Sequence, residues 1–134
     1  MKYFSMSLLL GAILFAGFAC GNGAVSPGKE FSLRIGESAK IKGEDLQVRF
    51  LEVTEDSRCP AGVTCIWEGR VSCLVEITYG KSPERVTLTE PGLTDFPSRQ
   101  AFHEYTLAYH VEPYPGAGAQ IGADEYRLRL MISK

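Results

Sequence analysis

Residues 65–89 read CIWEGRVSCLVEITYGKSPERVTLT, and apolar side chains recur in them with a period of two. In an extended strand this period places alternate side chains on one face. One face of the first half carries Trp67, Val71, Cys73, Val75 and Ile77. The sequence YGKSPE then supplies a turn before a second strand at 85–89. The stretch therefore predicts two neighbouring antiparallel strands that share a buried face.

Other parts of the chain repeat this alternation. It is most regular in EYRLRLMIS at 125–133, and further strands are predicted at 31–35, 39–41, 46–53 and 103–112. Within 46–53 the alternation slips between Phe50 and Leu51, which predicts a β-bulge. No segment after the first twenty residues has a helical period. The sequence therefore predicts an all-β fold, a single antiparallel β-sandwich of about seven strands, with a small β-barrel as the alternative.

The first twenty residues, MKYFSMSLLLGAILFAGFAC, have the form of an export signal. One lysine precedes an apolar run at 8–19, which is short for a membrane span and suits a signal peptide. The run ends in GFAC, which resembles a bacterial lipobox with Gly17 in place of the usual leucine. We therefore expect a signal peptide at 1–19 and lipid attachment at Cys20. Cleavage after Ala19 without lipidation is the alternative.

The sequence GNGAVSPGKE follows Cys20, is rich in glycine and shows no apolar periodicity. Such a composition predicts a flexible, lipid-anchored tether at 20–30, ahead of the β-sandwich domain at 31–134. Gly21 stands where an aspartate would indicate retention in the inner membrane. We therefore expect a protein of the bacterial cell envelope, anchored in the outer membrane and facing the periplasm or the surface. A soluble periplasmic or secreted protein is the alternative.

Composition excludes some classes of function. The formal net charge is −2 and the chain has no basic run, which disfavours nucleic acid as a partner. The sequence contains no G-x-S-x-G, no H-E-x-x-H and no phosphate-binding loop. We therefore predict no catalytic residues and no cofactor, and we expect a monomer.

The cysteines divide into a pair and a single thiol. Cys59 and Cys65 flank PAGVT, whose proline and glycine let the chain turn back, and an exported chain meets an oxidising compartment. We therefore assign a Cys59–Cys65 disulfide. In a regular strand Cys73 would lie about 26 Å beyond Cys65, whereas a disulfide requires Cα atoms within about 7 Å. Because Cys73 shares a face with Val71 and Val75, we predict a buried free thiol.

Metal binding is not predicted. The cysteines do not have the spacing of zinc ligands. His103 and His110 lie seven residues apart and would point to opposite faces of a regular strand. A surface copper site at His110 and Glu112 is the alternative.

Three segments carry a resemblance to a known family. They are DSRCPAGVTCIWEG at 56–69, YTLAYHVEPYP at 105–115 and IGADEYRLRL at 121–130. Together they resemble a family of small exported bacterial proteins, often lipoproteins, that share D-S-R-C-P, a second cysteine, W-x-G, P-Y-P and a D-Y or E-Y strand. The resemblance covers roughly residues 46–132. It supports the β fold and the disulfide and implies no activity.

Strand order indicates a binding end. If sequence neighbours run antiparallel, the connection EPGLTDFPSRQAF at 90–102 lies at the same end as the disulfide loop. The tether would then enter at the opposite end, so that both loops point away from the membrane. Candidate residues for a binding rim are Arg58, Val63, Trp67, Asp95, Phe96, Arg99 and His103. We expect Trp67 in the core and residues 60–64 in solvent.

These observations predict a non-catalytic binding or structural module of the cell envelope. Its expected partners are the membrane, through the lipid anchor, and an envelope protein or small ligand, through the loops. One alternative is a peptidase inhibitor that acts through the Cys59–Cys65 loop. Another is a thiol or metal redox protein.

Overall fold

The computed structural model describes residues 22–94 and 97–134, and these residues form strands, turns and loops without a helix. The strands are β1 (Asn22–Val25), β2 (Glu30–Arg34), β3 (Ser38–Ile41), β4 (Leu46–Asp56), β5 (Arg70–Tyr79), β6 (Ser82–Pro91), β7 (Ser98–Phe102), β8 (Tyr105–Glu112) and β9 (Arg127–Ser133). Among the described residues, no helix exists that could cross a membrane. The predicted signal peptide, Cys20, Asp95 and Phe96 lie outside the described residues.

The strands form two sheets packed face to face. One has the order β1-β3-β4-β5-β6 and the other β2-β9-β8-β7, and neither closes into a barrel. The all-β sandwich prediction is therefore confirmed. The predicted bulge is also confirmed, because the β4–β5 register shifts between Phe50 and Glu52, and it shifts again between Val53 and Glu55.

The core lies between the sheets and follows the predicted alternation. In β5, Val71, Cys73, Val75 and Ile77 are fully buried. The facing sheet contributes the alternate residues of β8 and β9. These are Tyr105, Leu107, Tyr109, Val111, Leu128, Leu130 and Ile132. Removal of this apolar surface from water is the main stabilising contribution to such a fold.

Two strands were not predicted, and one of them lies within the N-terminal segment that was expected to be flexible. β7 forms within the connection at 90–102 by pairing with β8. β1 forms inside the predicted flexible tether and pairs with β3 in parallel, from Asn22↔Ser38 to Val25↔Ile41. The prediction of a flexible tether throughout 20–30 is therefore wrong for residues 22–25, and the sandwich is not purely antiparallel.

The directions of β1 and β2 test the predicted entry point. We call the end of the sandwich where β4 ends and β5 begins the loop end, and the other the opposite end. Since β3 runs antiparallel to β4, β1 runs towards the opposite end from the level of Arg49, three residues after β4 begins. The chain then turns at the opposite end, where the Gly28 N–H donates to the Ile132 oxygen and Glu30 of β2 pairs with Met131. The expectation that the chain leads into residue 31 from the opposite end is therefore confirmed.

Candidate functional site

Residues 57–69, which we call the disulfide loop, connect β4 to β5 at the loop end. Backbone hydrogen bonds continue the β4–β5 pairing into the base of the loop, from Ser57 N–H to the Arg70 oxygen (2.8 Å) and from Cys59 N–H to the Glu68 oxygen (2.9 Å). The Cys59–Cys65 disulfide then closes the tip, with Cα atoms 5.9 Å apart. The assigned disulfide is therefore confirmed.

Two glycines allow the loops of this end to pack closely. A Cβ on Gly69 would lie 1.9 Å from the Ser57 carbonyl oxygen, and Gly69 has a φ of 71°. A Cβ on Gly92 would lie 2.1 Å from the Glu68 oxygen, and the Gly92 N–H donates to the Gly69 oxygen (2.9 Å). The disulfide loop and the connection after β6 are therefore in direct backbone contact. This contact confirms that both loops lie at the same end.

A set of buried and half-buried polar side chains, which we call the motif cluster, holds the start of the disulfide loop in place. It consists of Asp56, Arg58, Tyr114 and Tyr126. The Arg58 guanidinium donates two hydrogen bonds to the Asp56 carboxylate, from Nε to Oδ1 (2.8 Å) and from Nη2 to Oδ2 (2.7 Å). It also donates to the Val111 and Pro113 carbonyl oxygens, both at 3.0 Å. These bonds fix the start of the disulfide loop to the end of β8.

The electrostatics of the motif cluster favour an ionised Asp56. Burial acts to raise the pKa of Asp56, but hydrogen bonds from Arg58 and Tyr126 outweigh it, so that the pKa lies below its ordinary value. The Tyr126 hydroxyl donates to Asp56 Oδ2 (2.9 Å). Burial and this bond to a carboxylate raise the pKa of Tyr126 to about 12. Tyr126 therefore remains a hydrogen-bond donor at neutral pH.

Tyr114, the centre of the P-Y-P segment, connects the loops of this end. Its hydroxyl donates to the Cys59 carbonyl oxygen (2.7 Å) and accepts from the Leu93 N–H (3.4 Å). Its ring lies 5.2 Å from the Arg58 guanidinium carbon, within the range of a cation–π contact. The next residue, Pro115, accepts a hydrogen bond from the Ala61 N–H (3.0 Å). The motif residues therefore form the frame that holds the loops.

The frame presents four large apolar side chains to solvent, which we call the apolar tip. Val63 is 44% exposed, Trp67 61%, Leu93 66%, and Ile66 is fully exposed. All the exposed large apolar side chains among the described residues belong to this set. Leu93 has a φ of 55°, a left-handed conformation that L side chains other than glycine seldom adopt. Leu93 is therefore exposed to solvent in a backbone conformation that costs free energy for a residue with a Cβ.

Two predicted rim residues, Val63 and Trp67, belong to the apolar tip. The prediction that Trp67 is a core residue is wrong, because β5 begins only at Arg70. The positive φ of Gly69 interrupts the strand, so that the alternation of β5 does not extend back to Trp67.

The structure separates the other predicted rim residues. Arg58 is 4% exposed and belongs to the motif cluster, so its assignment to the rim is wrong. His103 lies in the turn between β7 and β8 at the opposite end, stacked on Tyr79 with ring centroids 4.4 Å apart. Its place in the rim is wrong too. Arg99 is exposed on β7.

Sequence reasoning missed two residues of the tip, Ile66 and Leu93. A signal existed for each. Ile66 adjoins Cys65 and precedes Trp67, so that a strand break at Gly69 would have exposed both apolar residues. Leu93 follows Pro91 and Gly92, which is a turn sequence, and an apolar side chain in a turn has no sheet face on which to pack.

Cys73 and His110 are the residues that the redox and copper alternatives involve. Cys73 is fully buried, and burial together with the charge of Glu90 raises the pKa of its thiol to about 12. His110 Nδ1 lies 2.5 Å from Glu90 Oε1, whereas Glu112 accepts from Arg129 (2.8 Å). The two proposed copper ligands thus have different partners. Among the described residues, no group of three or more acidic, histidine or cysteine side chains is arranged to hold a metal.

Comparisons with known proteins add no relative. No protein-family profile, no curated protein and no solved structure matches the chain.

Proposed function

We propose that this chain is a non-catalytic lipoprotein of the bacterial cell envelope that binds its partner through the apolar tip. The observation that carries the proposal is the exposure of Val63, Ile66, Trp67 and Leu93 together at one end of the domain. Scattered apolar residues are normal on a surface, but a concentration of them in one place is typical of an interaction site. Trp67 adds to this, since tryptophan is enriched among the residues that dominate binding energy.

The frame beneath the tip supports the same interpretation. The disulfide, the Tyr114 hydrogen bonds and the close contact at Gly69 and Gly92 hold the two loops in one arrangement. A preorganised loop loses less conformational freedom when it binds. Rigid scaffolds that carry exposed loops are a common form of binding protein.

The expected location in the envelope rests on the sequence. The leader, the lipobox-like end at Cys20 and the Cys59–Cys65 disulfide agree with export to an oxidising compartment. The expectation that the loops point away from the membrane depended on entry of the chain at the opposite end. Because the chain leads into β2 from the opposite end, that orientation is kept as part of the proposal.

Site-specific photo-cross-linking in the native envelope tests the proposal. The full chain is produced with a photoreactive phenylalanine derivative at Ile66, and the matched control carries it at Ala101, which is exposed on β7. We expect a cross-linked product from position 66 and none from position 101. Equal products from both positions, or none from position 66, would contradict binding through the tip.

A peptidase inhibitor that acts through the disulfide ring is the second candidate, because Val63 is exposed at the centre of that ring. Inhibitory segments usually pair with the enzyme through free backbone groups. Here the Ala61 N–H is bonded to Pro115 and the Val63 N–H to Pro60. The inhibitor hypothesis requires Val63→Ser to abolish inhibition of an envelope peptidase while Ile66→Ser does not.

A thiol redox protein is less well supported. The buried Cys73 thiol, with its raised pKa, is not in the thiolate form that such chemistry uses.

A further inference from the structure

The segment 64–67 carries two side chains of the apolar tip and is held by a single bond. Ile66 and Trp67 lie in it, and both are exposed. Within the described part of the chain, no hydrogen bond reaches any residue of this segment. The disulfide at Cys65 is therefore the one cross-link that the structure shows between the segment and the rest of the domain.

The base of the disulfide loop, in contrast, is held without the disulfide. The Ser57 and Cys59 N–H groups continue the β4–β5 pairing, and the Cys59 oxygen accepts from the Tyr114 hydroxyl. Arg58 is 4% exposed and donates to two carbonyl oxygens at and beyond the end of β8. The apolar core lies further away, between the two sheets. Opening of the disulfide therefore frees the segment 64–67 and leaves the domain folded.

The two cysteines of the ring differ in their access to solvent. Cys59 is 3% exposed, whereas Cys65 is an exposed residue. Disulfides are broken by direct attack of a thiolate on one of the two sulfurs. A thiolate from solvent therefore attacks Cys65 Sγ, forms a mixed disulfide there and displaces the Cys59 thiolate, which takes up a proton.

A dithiol completes the reduction. Its second thiol attacks the mixed disulfide and closes a disulfide within the reductant, and Cys65 leaves as a thiolate that takes up a proton. The reductant thereby loses two electrons and two protons, and the ring gains them.

We propose that the Cys59–Cys65 disulfide is a reversible restraint on the apolar tip, which a dithiol reductant removes by attack at Cys65 without unfolding the domain. In the oxidised form Ile66 and Trp67 are held in one arrangement, and in the reduced form they are released. Because ordering of side chains at an interface costs free energy, the reduced tip should bind its partner at least about fivefold more weakly. This effect on binding rests on the proposed function, whereas the release of the segment 64–67 does not.

Fluorescence anisotropy of Trp67, the one tryptophan of the chain, measures the release. The full chain is compared before and after treatment with dithiothreitol, and the variant Cys59→Ser with Cys65→Ser is the permanently open form. Reduction should increase the nanosecond motion of Trp67, and the open form should show this motion without reductant and not respond to it. The circular dichroism of the strands should persist, and the melting temperature should fall by no more than roughly 6–12 °C, as expected for a ring of this size.

A monothiol identifies the sulfur that is attacked. The folded protein is treated briefly with glutathione and quenched with acid, and the mixed disulfide is located by peptide mass spectrometry. We expect glutathione on Cys65. Glutathione on Cys59 instead would contradict the difference in access from which the direction of attack is inferred.

Three other results would overturn the inference. The first is an anisotropy of Trp67 that reduction leaves unchanged. The second is loss of the folded spectrum on reduction, which would make the disulfide a bond on which the whole domain depends. The third is a disulfide that dithiothreitol does not open in the folded protein.

Photo-cross-linking from position 66 separates the inference from the proposed function. The photoreactive residue is placed at 66 in the unsubstituted chain and in the open form, and both are tested in the native envelope. A product at least fivefold lower from the open form supports both proposals. Equal products leave the proposed function standing and overturn the control of binding by the disulfide. Absence of a product from both forms contradicts the proposed function alone, because the release of the segment 64–67 is measured without a partner.

Discussion

Replacement of Arg58 by methionine should cost this domain a large part of its stability. The Arg58 side chain is 2% exposed and that of Asp56 is 12% exposed, so the pair is largely shielded from water. Methionine has a similar length and keeps the apolar packing, but it removes both hydrogen bonds to Asp56 and both bonds to the carbonyl oxygens of Val111 and Pro113. Asp56 would keep the Tyr126 hydroxyl as its side-chain partner.

The magnitude follows from the loss of one partner in a buried ion pair. Such a change costs about 3–5 kcal/mol, because the remaining carboxylate stays largely buried without a counter-charge. The free energy of unfolding of a domain of this size is roughly 5–15 kcal/mol. Each kcal/mol of lost unfolding free energy lowers the melting temperature of such a domain by about 3–4 °C, so the melting temperature should fall by roughly 10–20 °C. The double variant Asp56→Asn, Arg58→Met should recover part of this loss, since it removes both charges.

Urea unfolding followed by circular dichroism measures the change. The control is Arg99→Met, at an exposed arginine on β7, which should change stability by no more than about 0.5 kcal/mol. A loss below about 1 kcal/mol for Arg58→Met would be typical of an exposed pair. That result would refute the buried motif cluster and restore Arg58 to the surface where the sequence analysis placed it.

Gly69→Ala should destabilise the domain by several kcal/mol or prevent folding, because its Cβ would overlap the Ser57 oxygen. The control is Gly23→Ala in β1, whose Cβ would meet no atom within 4 Å, so its melting temperature in a thermal melt should change little. Cys73 should remain unmodified by a thiol reagent in the native protein and react at once in denaturant, and rapid labelling of the folded state would contradict its burial. Leu93→Asn should keep or raise the melting temperature, because asparagine tolerates a left-handed φ better than leucine does. Because the pKa of Asp56 is lowered on folding, its ionised form stabilises the folded state at every pH above the unfolded-state pKa of about 3.9. The urea midpoint should therefore be constant near neutral pH and should fall as the pH drops through the folded-state pKa. Asp56→Asn should reduce this fall in the urea midpoint at acid pH.

The alternation of apolar residues was sufficient to predict most of the fold. It located the strand at 46–53 with its bulge, the buried face of β5 and the last strand, because each depends on which residues face the core. It failed for β1, whose sequence NGAV is short and contains glycine. β1 exists because β3 offers it a free edge, and that contact between distant segments leaves no local pattern.

The candidate site was predictable only in part, for related reasons. The alternation of β5 was extended across Gly69, although a glycine inside a strand pattern often marks a break or a close backbone approach. That extension placed Trp67 in the core. Arg58 was assigned to the rim because it lies in the sequence of the disulfide loop. Its burial depends on the carbonyl oxygens of Val111 and Pro113, more than fifty residues away. The motifs behind the family resemblance thus largely describe the frame. Of the side chains at the tip, Trp67 belongs to W-x-G, Val63 and Ile66 occupy positions of the first segment that the pattern does not specify, and Leu93 lies outside the three segments.

The central claim is that the apolar tip is the surface through which this protein contacts the cell envelope. Fluorotryptophan incorporated into the full chain places one fluorine label, at Trp67, and fluorine NMR then reports on the tip alone. The isolated protein should give one resonance that responds to exchange of H₂O for D₂O, as a solvent-exposed ring does. In native envelope membranes that response should disappear and the resonance should shift, and Ile66→Ser with Leu93→Asn should restore the signal of the isolated protein. A resonance in the envelope with the same position and the same solvent response as in isolation would contradict the claim.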